Sequence, residues 1–130
     1  VLTCPWFKTT PDLCPPNHVK KGSPPIITFA GGSDTAISVA EMIEFHELLK
    51  EKEIVSELYI GNQGKHGFCN GRNPYNRFFY WSVDLTDRFL VKHGILDGAS
   101  MVSIPKIEKG FGSSLKEVRE LAESEYQSFL

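Results

Sequence analysis

The sequence is poor in the features that direct a chain to a membrane, a nucleic acid or a zinc-centred fold. Its longest apolar runs are short stretches such as IITFA and FFYW, far below the roughly 20 consecutive residues that an α-helix needs to span a bilayer. Charge of one sign is also scarce, with 14 Lys and Arg against 16 Asp and Glu. A phosphate-binding surface needs a basic excess or stripe, so no nucleic-acid partner is expected. Cysteine is limited to Cys4, Cys14 and Cys69, without a CxxC pair, which argues against a zinc knuckle. Two arrangements stay open, a single Cys4–Cys14 bridge or three free thiols, and with them the redox compartment. No charged-then-apolar leader follows Val1, so no secretion signal is read there and the start is expected to be processed or cut.

What is present is one domain's worth of chain, 130 residues of which 41% are apolar, with no internal repeat or low-complexity tract. Proline is unevenly spread. Pro5, Pro11, Pro15, Pro16, Pro24 and Pro25 all fall in residues 1–25, where no period of 2 or 3.6 is sustained. Proline fixes φ and removes a donor, so an irregular arm is expected there, wrapped over the rest and outside any sheet interior.

The segment PPIITFAGGSDT follows. The run Ile26 to Ala30 has no polar alternation, which predicts a strand covered on both faces, ending at Gly31 and Gly32 ahead of Asp34. Ser38 with Glu41 three residues on forms a capping-box pattern, and Val39, Met42, Ile43, Phe45, Leu48 and Leu49 predict an amphipathic helix to Lys52. Val55 to Ile60 predicts a second strand. It leads into GNQGKHGFCN, where His66 lies in a glycine-rich loop of the kind that presents functional groups. Strand, helix and strand make one βαβ unit with parallel strands, so the loops carrying Asp34 and His66 are expected at the same carboxyl edge of the sheet.

Past Asn73 and Pro74 a helix is predicted from Arg77 to His93, with Phe78, Trp81, Leu85 and Phe89 on one face and Gly94 as its stop. It is expected to close a face of the sheet. A linker from Asp97 to Gly112 then leads to a capped helix beginning at Ser114 and Glu117, with Leu115, Val118, Leu121, Ala122 and Phe129 as its stripe. Two strands make a poor sheet with both edges open, so either the arm adds pairing or a second chain completes it.

These residues carry a family resemblance. From HVKKGSPPIITFAGGSDT, through HELLKE, ELYIGNQGKHGFCN and NPY, to VDLTDRFLVKHGILDG, residues 17–98 resemble the C-terminal part of an α/β-hydrolase of the carboxylesterase and lipase type. The combination is a GxxD at a strand end, a helix, a second strand and then an HGF loop. The resemblance implies an α/β fold, a βαβα portion of a parallel sheet, flanked by the arm (1–25) and by the linker and terminal helix (99–130). It implies Asp34 as the carboxylate that orients His66, and His66 as general base toward a serine. An imidazole titrates near neutrality, and a carboxylate on its other nitrogen fixes the tautomer, which agrees with those roles. Asp12, Glu57, Asp84, Asp87 and Asp97 are weaker candidates because none follows Gly-Gly at a strand end.

The chain departs from the family pattern where the nucleophile belongs. It has no GxSxG string and no HGG-type oxyanion segment. Ala30 stands where many relatives have His, and the His66 loop is slightly longer than usual. Ser33 and Ser113 read as turn and capping residues, and Cys69 as packing with a secondary option as a thiol nucleophile. The spacings of His18, His46, His66 and His93 give no metal site, and no cofactor is expected. The expected function is therefore a carboxylic-ester hydrolase portion supplying Asp34 and His66, with nucleophile and oxyanion hole elsewhere. The alternatives are a non-catalytic, self-associating relic, or a small esterase whose site another subunit completes. The expected partners are a small ester substrate and either further copies of the chain, in a homodimer or larger assembly, or a nucleophile-bearing N-terminal portion, with no membrane span.

Overall fold

In a computed structural model of the chain, the two apolar runs form neighbouring parallel strands joined by the expected helix. The structure describes residues 1–103 except 4, 6, 8, 9, 73–75 and 100, together with the backbone of residues 126–129. Its elements are β1 (Leu2–Thr3), β2 (Ile26–Gly31), α1 (Val39–Glu51), β3 (Ser56–Gly61), α2 (Arg77–Lys92) and β4 (Tyr126–Phe129). Short 3₁₀ turns lie at Pro11–Leu13 and Pro15–Asn17. Two compact units result, one from Val1–Gly67 with the C-terminal end of the chain, the other Phe68–Tyr126.

In the first unit the sheet order is β1-β2-β3-β4. β2 and β3 pair in parallel from Ile26 opposite Ser56 to Gly31 opposite Gly61. Because the last residues of both strands are partners, the loops that follow leave the sheet side by side. β1 pairs with β2 in parallel, Leu2 opposite Thr28 and Thr3 opposite Phe29, and β4 occupies the place beside β3. Both edges left open by a two-strand reading are thus covered from within the chain. Two-residue β1 is too short to give a periodic signal, and tertiary pairing alone makes it a strand. Phe129, expected on the stripe of a terminal helix, lies in β4 instead. The rest of that stripe, Leu115 to Ala122, lies outside the described residues.

The alternation of the strands explains the unbroken apolar runs. Ala30, Leu58 and Ile60 face α1 and pack with Ile37 and Met42. The other face carries Ile27, Phe29, Glu57 and Tyr59, all buried. Phe29 and Tyr59, register partners, stack with centroids 5.6 Å apart, and the Tyr59 hydroxyl donates to Glu57 Oε2 at 2.9 Å. A run with both faces buried has no place for solvent-facing polar residues.

The arm folds back over α1 as its composition suggests. Leu2, Phe7 and Val19 pack around Phe45, Leu49 and Ile54, and the Phe7 and Phe45 rings lie 4.7 Å apart. Cys14 is a free thiol, its S–H donating to the Phe7 carbonyl at 3.4 Å. Cys4, the other member of the possible Cys4–Cys14 bridge, lies outside the described residues.

α1 begins at Ser38 as expected, but the Ser38 side chain makes no cap hydrogen bond. Its C-terminal end closes with Glu53 N–H on the Lys50 carbonyl and Ile54 N–H on the Leu49 carbonyl, both 2.9 Å, while Glu53 takes a φ of 58°. This is a Schellman closure with glutamate at the left-handed position. In the second unit α2 ends the same way. Gly94 N–H bonds to Val91 at 3.0 Å and Ile95 N–H to Leu90 at 2.9 Å, and here glycine takes the left-handed φ of 69°. Asn76 caps the N-terminus of α2 by accepting from Phe78 N–H at 3.2 Å. Its amide group donates back to the Phe68 and Asn70 carbonyls at 2.6 and 2.9 Å. Trp81 and Phe89 are buried, and Phe78 and Leu85 half-buried.

Candidate functional site

Where β2 ends, the chain turns through Gly31, Gly32 and Ser33, and the Asp34 N–H returns to the Gly31 carbonyl at 3.2 Å. This directs the Asp34 carboxylate back over the turn. Its Oδ1 accepts from the N–H groups of Ala36 and Ile37 at 2.8 and 3.0 Å. Those amides, just ahead of α1, would otherwise lack partners. The other oxygen, Oδ2, meets His66 Nδ1 at 2.9 Å. The two residues are 32 positions apart in sequence and adjacent because Gly31 and Gly61 are register partners.

The two groups differ sharply in exposure. The Asp34 side chain is 0% exposed and that of His66 59%. Burial pushes the Asp34 carboxyl up, but the Ala36 and Ile37 amides and the His66 ring outweigh it and hold it below the ordinary carboxylate value. Asp34 is thus an ionised, fully enclosed acceptor with both oxygens engaged. With Nδ1 donating to Asp34, Nε2 of His66 is the nitrogen left to take a proton. A buried carboxylate and a half-exposed imidazole in this order have the geometry of an orienting acid and a general base.

Among the described residues of the first unit no other candidate joins this pair. The Ser33 hydroxyl donates to the Asn62 carbonyl at 3.5 Å, consistent with a turn role. Cys69 is buried, as packing requires, and Ser113 lies outside the described residues. Glu57 is bound by Tyr59, and Asp84 is buried within reach of Arg88, at 3.7 Å. Asp12, in the 3₁₀ turn Pro11–Leu13, and Asp97, on a loop, are both exposed. His18 is exposed in the arm, and His93 caps the end of α2 with its ring 4.5 Å from that of Phe89. Among the described residues no group of three or more His, Cys, Asp and Glu side chains has the arrangement of a metal site. None of their helices is long and apolar enough to cross a membrane.

Sequence reasoning missed one polar pair. His46 of α1, 2% exposed, lies with Nδ1 2.7 Å from Ser56 Oγ at the start of β3. Burial lowers the His46 pKa, the Glu47 carboxylate opposes that shift and the Lys50 ammonium adds to it. The pair is sealed under α1 and has no access for a substrate. Its signal was a histidine on the apolar face of α1, four residues after Met42.

No family model matches the chain, and no curated protein sequence does. Solved structures do. The chain is similar to esterase 2 of the Planctomycetes species Thermogutta terrifontis in its propionate-bound form, with 30% identity and a TM-score of 0.62 over 66% of this chain and 32% of that one. The same esterase phosphorylated by paraoxon gives 29% identity and a TM-score of 0.65, over 69% of this chain and 35% of that one. Its apo form matches at the same identity and TM-score, over 34% of its length. The chain spans about a third of the length of these structures. The fold is α/β and matches part of an esterase, an α/β-hydrolase fold.

Proposed function

We propose that the chain is the C-terminal portion of a carboxylic-ester hydrolase, in which His66 is the general base and Asp34 its orienting carboxylate. The observation that carries this reading is the 2.9 Å contact between His66 Nδ1 and the enclosed Asp34 Oδ2. The likeness to an esterase with propionate bound, the acid product of a short ester, supports the substrate class. In this reading a nucleophile and oxyanion donors come from a portion bearing a GxSxG elbow, since residues 1–130 contain no such string. His66 Nε2 takes the hydroxyl proton as oxygen attacks the ester carbonyl, and returns it to the departing alcohol. Asp34 stabilises the imidazolium in between. Water then attacks the acyl group as His66 Nε2 takes its proton, and that proton passes to the departing nucleophile oxygen, which frees the acid.

The test uses the 130-residue chain with and without a GxSxG-bearing α/β-hydrolase N-terminal portion, co-expressed as separate polypeptides. A short-chain aryl ester and a paraoxon-type organophosphate are the probes. The chain alone is expected to give neither turnover nor labelling, and the complemented pair both. His66→Ala is expected to abolish the turnover. Steady turnover and covalent labelling by the isolated chain would sink the view that its nucleophile lies elsewhere. Self-association is the second part of the proposal, motivated by apolar side chains such as Val83, Ile95, Leu96 and Met101 that the described residues leave exposed. Light scattering that finds only a monomer at micromolar concentration counts against it.

A further inference from the structure

We propose that Gly31 is a positioning residue for the Asp34–His66 pair, the bare position at which the loop after β3 seats its backbone against the end of β2. The inference rests on the roles proposed above for Asp34 and His66, and on a set of backbone approaches that those roles do not by themselves require.

A Cβ built on Gly31 would fall inside the contact distance of the Gly64 carbonyl oxygen, 2.8 Å from the Gly64 carbonyl carbon and 3.0 Å from the Lys65 carbonyl oxygen. One on Gly32 would stand 2.6 Å from the Asn62 carbonyl oxygen and 3.0 Å from that of Gly61. Every obstructing atom is backbone, so no rotamer change relieves the collision. Two hydrogen bonds close the same junction, Gly32 N–H to the Gly61 carbonyl at 2.7 Å and Ser33 N–H to the Gly64 carbonyl at 2.9 Å. Gly64 N–H bonds back to the Gly61 carbonyl at 2.9 Å, which tightens the second loop on itself.

The junction lies between the functional side chains in both loops. Asp34 is three residues after Gly31, and His66 follows Lys65, whose carbonyl the added Cβ would strike. Restoring ordinary contact, which begins at 3.4 Å, needs the two loops to part by several tenths of an ångström or more. The pair is joined by one bond of 2.9 Å, inside the range of about 2.7–3.2 Å usual for such bonds, and it weakens as the loops part. A methyl group at Gly31 therefore separates base from carboxylate without changing either side chain. This differs from a fold role. The apolar core beneath α1, built from Ala30, Ile37, Met42, Leu58 and Ile60, does not include the junction.

The test is NMR on the full 130-residue chain labelled with ¹⁵N, at a pH where the His66 ring is neutral. In the wild type the imidazole ¹⁵N shifts are expected to report a single tautomer with the proton on Nδ1. In Asp34→Ala, which leaves Nδ1 without its acceptor, they are expected to report a mixture, and Gly31→Ala should match Asp34→Ala while the signals of α1 and of the β2–β3 core stay in place. A folded Gly31→Ala chain that keeps the wild-type tautomer overturns the proposal. If Gly31→Ala does not fold, hydrogen exchange on the wild type decides. The Gly32 and Ser33 amides lie in an exposed turn, and slow exchange there supports a fixed junction, whereas exchange at the rate of free loop amides overturns it. Absence of ester turnover in the complemented pair would count against the esterase reading and leave these readouts untouched.

Discussion

Asp34 ties His66 to the start of α1: one carboxylate oxygen meets the imidazole at 2.9 Å while the other accepts the Ala36 and Ile37 amides at 2.8 and 3.0 Å. The group that orients the base is thus also the group that closes the turn into the crossover helix, and the two roles separate by substitution. Asp34→Asn keeps its one oxygen for the amides and places its N–H₂ opposite His66 Nδ1. It is expected to lose the stability that depends on the charge of the carboxylate, and less than Asp34→Ala loses. Asp34→Ala removes the acceptor from two amides and is expected to cost about 1–3 kcal/mol. Urea unfolding of the two variants beside wild type measures the difference, and equal stabilities would refute the dual role.

Acid dependence follows from the same residue. The folded-state pKa of Asp34 lies below its ordinary value of 3.8, so the unfolded chain takes up the proton first as pH falls. The stability contributed by the ionised carboxylate is fully present above that ordinary value and disappears as pH drops through the lower, folded one. Unfolding midpoints measured across this acid range should decline less steeply in Asp34→Asn than in wild type. Parallel declines would place the acid sensitivity in other carboxylates.

The buried His46 acts in a separate window. Its pKa is lowered from 6.5 chiefly by burial, so the neutral ring is the folded form and protonation favours unfolding. Its contribution is present above 6.5 and is lost as pH falls through the depressed value. Wild-type stability is expected to drop as pH falls below 6.5 toward the depressed folded value, and His46→Gln should flatten that slope. Ser56→Ala, which strips the hydroxyl from Nδ1, is expected to cost about 1–3 kcal/mol at neutral pH.

The two helix ends give a matched pair of outcomes with opposite sign. Glu53 sits at φ 58° where Gly94 sits at φ 69°, in the same kind of closure. Glu53→Gly is expected to stabilise the chain by a few tenths to about 1 kcal/mol. The Lys21–Glu53 ion pair it removes is exposed on both sides, 79% and 68%, and contributes little. Gly94→Ala has open space for its methyl group, so its expected cost of about 1–2 kcal/mol is conformational alone. Thermal unfolding of both variants checks the signs.

Much of the site's neighbourhood could be read from residue pattern. Helix α1 was expected over 38–52 and spans Val39–Glu51, because its apolar residues recur at helical spacing. Gly94 marked the end of α2, since glycine is the residue that accepts a left-handed φ without strain. The end of α1 carried no such mark. Glu53 takes that conformation because Ile54 packs with Phe45 and Leu49, a gain visible only once the chain is folded. β1 and β4 were likewise illegible. Two residues, or four at the end of a stripe that also suits a helix, hold no period, and their pairing is decided by the neighbouring strand. Ser38 looked like a capping residue by spacing, yet the amides before α1 belong to Asp34, whose position relative to them depends on how the Gly31–Gly32 turn reverses.

Local order in the chain was enough to specify a strand-helix-strand unit, two loops at one edge of a parallel sheet, and an aspartate and a histidine on those loops. Such features depend on periodicity, turn chemistry and the handed, parallel geometry of βαβ connections, all of which act over short stretches. Tertiary structure alone decided that Gly31 and Gly61 would be register partners, that the loops would close on each other through bare glycine backbone, and that the Asp34 carboxylate would be wholly enclosed beside a half-exposed His66. Those outcomes depend on distances between groups more than 25 residues apart, as the 32-residue separation of Asp34 and His66 illustrates. Such distances are fixed by packing and strand registry, which no local pattern encodes.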